Sequence, residues 1–229
     1  MAYEPSRSTL SVTRLILVPA LITLVITLLR LTGELLHWPA PLFSSAEGGG
    51  AAIIGITWLP FIFGPYFAAR LLKRDERPTS FVTTIFFAVL GILILGCGGL
   101  MVFTPMGSFT GHVALGMLLM VLAATLQFIP WKPLARTLIA YAYAARIPVV
   151  IVMFFAMQYH WGTHYDAVPA EFATLPFWPK YLLLGIAPQL VMWIVYTMTI
   201  GTLFGGIYGA IFHRRKPVEA PSAQQTAGA

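Results

Sequence analysis

Long apolar runs separated by short polar connections dominate the chain. A helix needs about 20 apolar residues to cross a hydrocarbon layer of about 30 Å. Six runs approach or exceed that length and are expected to form helices at 15–36, 52–72, 81–103, 112–129, 134–159 and 181–212. The last run is longer than one perpendicular crossing requires and contains Pro188. We therefore expect a kink at this proline, or a helix that begins there.

Composition points to the same class of protein. The chain has 229 residues, of which 58% are hydrophobic and 10% are charged, whereas soluble domains average about 45–50% and about 25%. A globule of this length cannot hide so much apolar surface from water, so the excess is expected to face lipid. The sequence thus predicts an all-α integral membrane protein with six transmembrane helices in a domain at 15–213, an N-terminal segment at 1–14 and a basic, disordered tail at 214–229.

Basic residues set the expected orientation. They precede the first run and follow the second, fourth and sixth runs: Arg7, Arg14, Arg70, Lys73, Arg74, Arg77, Lys132, Arg136, Arg214, Arg215 and Lys216. Because these connections alternate along the chain, the positive-inside rule places all of them, with both termini, on the cytoplasmic side of an inner membrane. The net charge of +6 is spread over the ends of apolar runs, which argues against nucleic-acid binding.

Two longer connections, 37–50 and 160–180, then lie on the outer side. Loops of this length often carry function, so both are candidates to contribute to a site. Tryptophans mark the expected interfaces, since five of the six lie at or near the ends of predicted runs. Trp193, well inside the sixth run, is the exception.

Arg146 is the residue that is most costly to place in the predicted helices. It stands in the segment "AYAARIPVV" of the fifth run, ten residues beyond Arg136 and thus about 15 Å along the helix. A charge near the bilayer centre costs about 2.5–3.5 kcal/mol by insertion measurements, and no Asp or Glu lies at the same depth. We expect its guanidinium to meet backbone carbonyls and polar side chains such as Gln127 or Tyr143, a water-filled cavity, or a bound anion.

A second charged pair lies near the outer end of the first run. Arg30 and Glu34 are four positions apart, so they share a helical face and are able to form an ion pair. They either pair near the lipid headgroups or line the mouth of a cavity that has Arg146 at its floor.

The histidines offer a different chemistry. In "HWGTHYD", His160 and His164 would point the same way if the helix continued through Gly162, and with Asp166 they would suit zinc or copper. The segment lacks the glutamate of a HExxH motif, and the glycine weakens the helix that the spacing needs. Haem ligation by an outer pair such as His112 with His160, or ordinary interfacial hydrogen bonding, are the alternatives.

Glycines recur at helical spacing in the sixth run. Gly201, Gly205 and Gly209 lie four apart, and small residues let helix backbones approach closely in lipid. We expect a contact face here, either within the bundle or at a homodimer seam.

Three functional classes follow from these patterns. The leading hypothesis is a small transporter or ligand-binding membrane protein, without a cofactor, whose outward-facing cavity holds an anionic or polar solute at Arg146, Arg30 and Glu34. The alternatives are a noncatalytic membrane-complex subunit that packs through the glycine face, and a metal or redox protein that uses the outer histidines. The sequence contains no P-loop, GxGxxG or GxSxG motif, so it gives no support to an enzyme of those classes.

Overall fold

A computed structural model describes residues 11–49, 52–104 and 111–213, and every regular element in these ranges is helical. Six helices follow one another: α1 (Val12–Leu35), α2 (Leu59–Leu72), α3 (Phe81–Phe103), α4 (His112–Leu126), α5 (Lys132–Tyr159) and α6 (Phe177–Phe212). Short 3-10 turns lie at Glu47–Gly49 and Ala170–Phe172. The predicted tail at 214–229 and the first ten residues of the predicted N-terminal segment lie outside the described residues.

Four of the helices, α1, α3, α5 and α6, are long and apolar enough to cross a membrane. The other two are shorter than the sequence predicts. With 14 residues in α2 and 15 in α4, each helix is on the order of 20 Å long.

Prolines lie where these two helices depart from their predicted bounds, at the start of α2 and after the end of α4. Pro60 stands in the first turn of α2, a position that suits a residue without an N–H group because the first N–H groups of a helix have no partner within it. Residues 52–58, before this helix, form bends and turns. Pro130 follows the turn that ends α4 and restricts the backbone of Ile129.

The helix α6 passes through Pro188 without ending. It begins at Phe177, so the expectation of a helix that starts at the proline is wrong. Two π-helical turns, Leu182–Ile186 and Pro188–Met192, flank this point. Wider turns of this kind absorb the irregularity of a proline, which has no N–H to donate. They also change which side of the helix the following residues face.

The glycines of α6 pack against other helices of the same chain. A Cβ at Gly201 would overlap Leu138 on α5, and one at Gly209 would overlap Phe81 on α3. A Cβ at Gly205 would lie 3.1 Å from the carbonyl oxygen of Gly64 on α2. The predicted contact face is therefore filled by α2, α3 and α5.

Candidate ligand cavity

A cavity of about 310 Å³ lies between α1, α5, α6 and the two long connections. Its apolar wall includes three methionines and a tryptophan: Met153, Met157, Met192 and Trp193. Its polar and charged lining residues come from all of these elements: Thr27, Arg30, Glu47, Arg146, His164 and Gln189. The fold thus gathers in one space residues that are up to 162 positions apart, counted from Thr27 to Gln189.

Arg146 is buried against this cavity, with 4% of its surface exposed. Its Nη1 donates a hydrogen bond to Oε1 of Gln189 at 3.1 Å, and its Cζ lies 4.5 Å from the centre of the Trp193 ring. No carboxylate pairs with it among the described residues. A guanidinium carries five N–H donors, so most of them have no protein acceptor in this part of the chain.

The prediction that Gln127 or Tyr143 would be a polar partner of Arg146 is wrong. Gln127 instead donates from Nε2 to the carbonyls of Phe87 and Ala123, and the Tyr143 side chain is exposed. The actual partners, Gln189 and Trp193, lie on α6. One signal for them was in the sequence, because Trp193 was the tryptophan that did not fit an interfacial position.

The predicted pair of Arg30 and Glu34 is present at the edge of the cavity. The Arg30 Nε donates to Oε1 of Glu34 at 2.8 Å. Its Nη2 donates to the carbonyl oxygens of Ser44 at 3.1 Å and Gly49 at 2.8 Å. Gly49 has a φ of 85° and its α-carbon faces this guanidinium, so a side chain would be disfavoured at that position. The first long connection is thereby folded onto Arg30.

Glu34 also holds the second long connection. Its side chain is fully buried and accepts the backbone N–H of His164 on Oε2 at 2.8 Å. The His164 Nδ1 lies 2.6 Å from Oε1 of the same carboxylate. Sequence reasoning placed Glu34 and His164 in two different candidate sites and missed this contact, because the residues are 130 positions apart.

The contact with Glu34 determines which nitrogen of His164 carries a proton. An ionised carboxylate only accepts hydrogen bonds, so Nδ1 must be the donor. Burial holds the pKa of His164 below its usual range, although the bond to Glu34 acts in the opposite direction. Burial thus favours the neutral ring, in which Nδ1 is the donor and Nε2 carries a free lone pair. Burial likewise raises the pKa of the neighbouring Tyr165.

The residues of the predicted metal site are engaged separately. The helix α5 ends at Tyr159, and His160 (φ 54°) and Gly162 (φ 72°) take left-handed conformations. The condition that both imidazoles share one helical face is therefore not met. The Asp166 carboxylate accepts both backbone N–H groups of Gly162 and Thr163. Among the residues that the structure describes, no three His, Cys, Asp or Glu side chains are grouped to hold a metal ion.

The other member of the haem alternative also has a protein partner. The Nδ1 of His112, at the start of α4, lies 2.6 Å from the carbonyl oxygen of Met101 on α3. Since an oxygen of this kind accepts, Nδ1 is the donor. This bond joins α3 to α4.

Neither a family model, nor a curated protein, nor a solved structure matches the chain.

Proposed function

We propose that this chain is a multi-pass protein of the inner membrane, crossing the bilayer six times with both termini in the cytoplasm. Large apolar side chains on the outside of the helices support membrane insertion. On α1 and α3 they include Leu17, Val18, Leu21, Val25, Val82, Phe86, Leu93 and Leu100. Contiguous apolar surface of this extent is unfavourable in water and favourable against lipid. The short α2 and α4 would cross with help from their flanking turns or from local thinning of the bilayer.

The proposed orientation rests on the alternating basic connections. It places the cavity on the outer side, since Arg30, Glu47 and His164 all belong to that end of the helices. Glu47 and Gly48, which line the cavity, are exposed, so this is where a solute would enter.

Within that protein, we propose that the cavity binds a small organic anion, as a carrier or a receptor of such a solute would. The observation that carries the proposal is the burial of Arg146 without a carboxylate. The Arg30 charge is balanced by Glu34, and burial favours the neutral form of His164, whereas Arg146 has no paired carboxylate among the described residues. A buried cation of this kind is costly unless it is paired, and an anionic group would supply the missing acceptors.

The volume of the cavity and its apolar lining residues indicate the size and character of the rest of the ligand. At about 310 Å³ the cavity lies at the lower end of the range of about 300–1,000 Å³ for small-molecule sites. Methionine side chains adapt their shape to an apolar partner, and three of them line this space. The geometry therefore fits a molecule with one anionic group and a compact apolar body.

A binding experiment with the full-length protein in detergent tests this function. Phenylacetate is a suitable probe because it combines a carboxylate with a small apolar ring. We expect Arg146→Gln to weaken binding about 10–100-fold, the loss that corresponds to a hydrogen bond between charged groups of about 1.5–3 kcal/mol. Arg136→Gln is the matched control, since Arg136 is an exposed arginine on the same helix and should leave the affinity unchanged.

The competing hypothesis is that Arg146 is a structural link between α5 and α6 through Gln189 and Trp193. In that case Arg146→Gln would lower thermal stability and yield, and the wild-type protein would bind no phenylacetate. Binding by the wild type that is insensitive to Arg146→Gln would also refute the proposed site.

A further inference from the structure

The cavity has a second polar group that the anion at Arg146 does not use. His164 lines the same space as Arg146 and Gln189, and 17% of its side chain is exposed. Its Nδ1 is bonded to Glu34, and no protein group in the described residues bonds its Nε2. A neutral imidazole protonated on Nδ1 offers a hydrogen-bond acceptor at Nε2.

From the position of this acceptor we infer that His164 is a second recognition point, which accepts a hydrogen bond from a hydroxyl group of the bound anion. The ligand class is then a small hydroxy acid with an apolar body. This inference rests on the proposed function, because it requires an anion at Arg146, and it adds the chemical group that distinguishes one organic acid from another.

Three donors keep the acceptor in place. Glu34 receives the Arg30 Nε on one side and both the backbone N–H and the Nδ1–H of His164 on the other. Because the carboxylate is fully buried, these bonds fix the ring orientation as well as its tautomer. The second nitrogen cannot exchange roles with the first without breaking the bond to Glu34.

The charges around His164 select a hydroxyl over other donors. An ammonium group on the ligand would add a second positive charge to a cavity that already holds Arg146, and like charges repel. A second carboxylate would face the lone pair of Nε2, which repels it. A hydroxyl donates a hydrogen bond without adding charge, so it satisfies the acceptor at the lowest electrostatic cost.

Three acids of nearly equal size test the inference on the full-length protein in detergent. Phenylacetate lacks a hydroxyl, mandelate carries one beside the carboxylate, and 4-hydroxyphenylacetate carries one at the far end of the ring. We expect at least one hydroxy acid to bind the wild type about 3–10-fold more tightly than phenylacetate, the range of one neutral hydrogen bond. In His164→Phe this advantage should vanish, so that the ratio of hydroxy-acid affinity to phenylacetate affinity falls to about one.

The matched control is His160→Phe, since His160 is exposed and does not line this cavity. It should keep the preference of the wild type. Equal binding of all three acids by the wild type would overturn the inference and leave the anion site standing. Failure of all three acids to bind would overturn both proposals.

A second measurement, of the protonation of the two His164 nitrogens, tests the inference even if His164→Phe does not fold. Nitrogen NMR of histidine-labelled wild-type protein at neutral pH distinguishes the two neutral tautomers from the charged ring. The inference requires the His164 signal to show a protonated Nδ1 and an unprotonated Nε2. A protonated Nε2, in either the neutral or the charged ring, would refute it.

Discussion

A close approach of two helices, α2 and α6, can be tested with a single methyl group. A Cβ added at Gly64 on α2 would lie 2.7 Å from the α-carbon and 2.9 Å from the carbonyl carbon of Gly201 on α6. These atoms are backbone, so no side-chain rotation can relieve the overlap, and the two helices would have to separate. A Cβ at Gly96 on α3 would meet no atom within 4 Å, which makes Gly96→Ala the matched control.

The two substitutions should have opposite effects on stability. Replacing glycine by alanine inside a helix stabilises it by about 1 kcal/mol, and this is the full expected effect at Gly96. An extra carbon in a packed core costs about 1–3 kcal/mol, and contact with backbone places Gly64 at the upper end of that range. We therefore expect Gly64→Ala to destabilise the protein by about 2 kcal/mol after the helix-forming gain is subtracted.

Thermal unfolding of both variants in the same detergent measures this difference directly. The roughly 3 kcal/mol between them corresponds to a gap in unfolding midpoint of roughly 6–12 °C for a chain of this size. The midpoint should fall for Gly64→Ala and rise slightly for Gly96→Ala. If both variants shift in the same direction by the same amount, α2 and α6 do not pack through these glycines, and the arrangement of helices around the cavity would be wrong.

Two further predictions concern buried hydrogen bonds. The Tyr141 hydroxyl lies 2.8 Å from the Thr23 hydroxyl and joins α5 to α1, so Tyr141→Phe should destabilise the protein by about 1 kcal/mol in thermal or chemical unfolding; an unchanged midpoint would show that this bond is not formed. Stability should also depend on His164. The pKa of His164 is lowered in the folded state, so the unfolded chain binds the proton more readily. The free energy of unfolding should therefore be highest above pH 6.5 and decrease as the pH falls below that value. His164→Gln should weaken this dependence, and a wild-type midpoint that rises on acidification would contradict the neutral ring.

The sequence by itself determined that the chain is helical and where most of its helices run. Apolar runs of about 20 residues have few other ways to satisfy their backbone groups in lipid than a helix. The run at 81–103 matches α3, and the run at 134–159 differs from α5 by two residues. Two less accurate boundaries are the start of α2, beside Pro60, and the end of α4, just before Pro130, where a local steric effect competes with an apolar pattern that continues through the proline.

The sequence also singled out Arg146 and the pair of Arg30 and Glu34 as candidates, because a charge in an apolar run is costly wherever the helix packs. It marked Arg146 as unusual and paired Arg30 with Glu34 through their spacing of four, which is a local property of one helix. The sequence also indicated the two long connections as candidates, because their length is likewise a local property of the chain.

The tertiary structure decided which of these residues meet. Helices that are apolar on all sides carry no periodic signal of the face they bury, so the contact of Arg146 with Gln189 and Trp193 could not be read from the pattern. The π-helical turns beside Pro188 changed the facing of α6 at that point. The bond between Glu34 and His164 joins α1 to the second long connection, far apart in the chain. It placed His164, which spacing alone had made a candidate metal ligand, against Glu34 in the lining of the cavity.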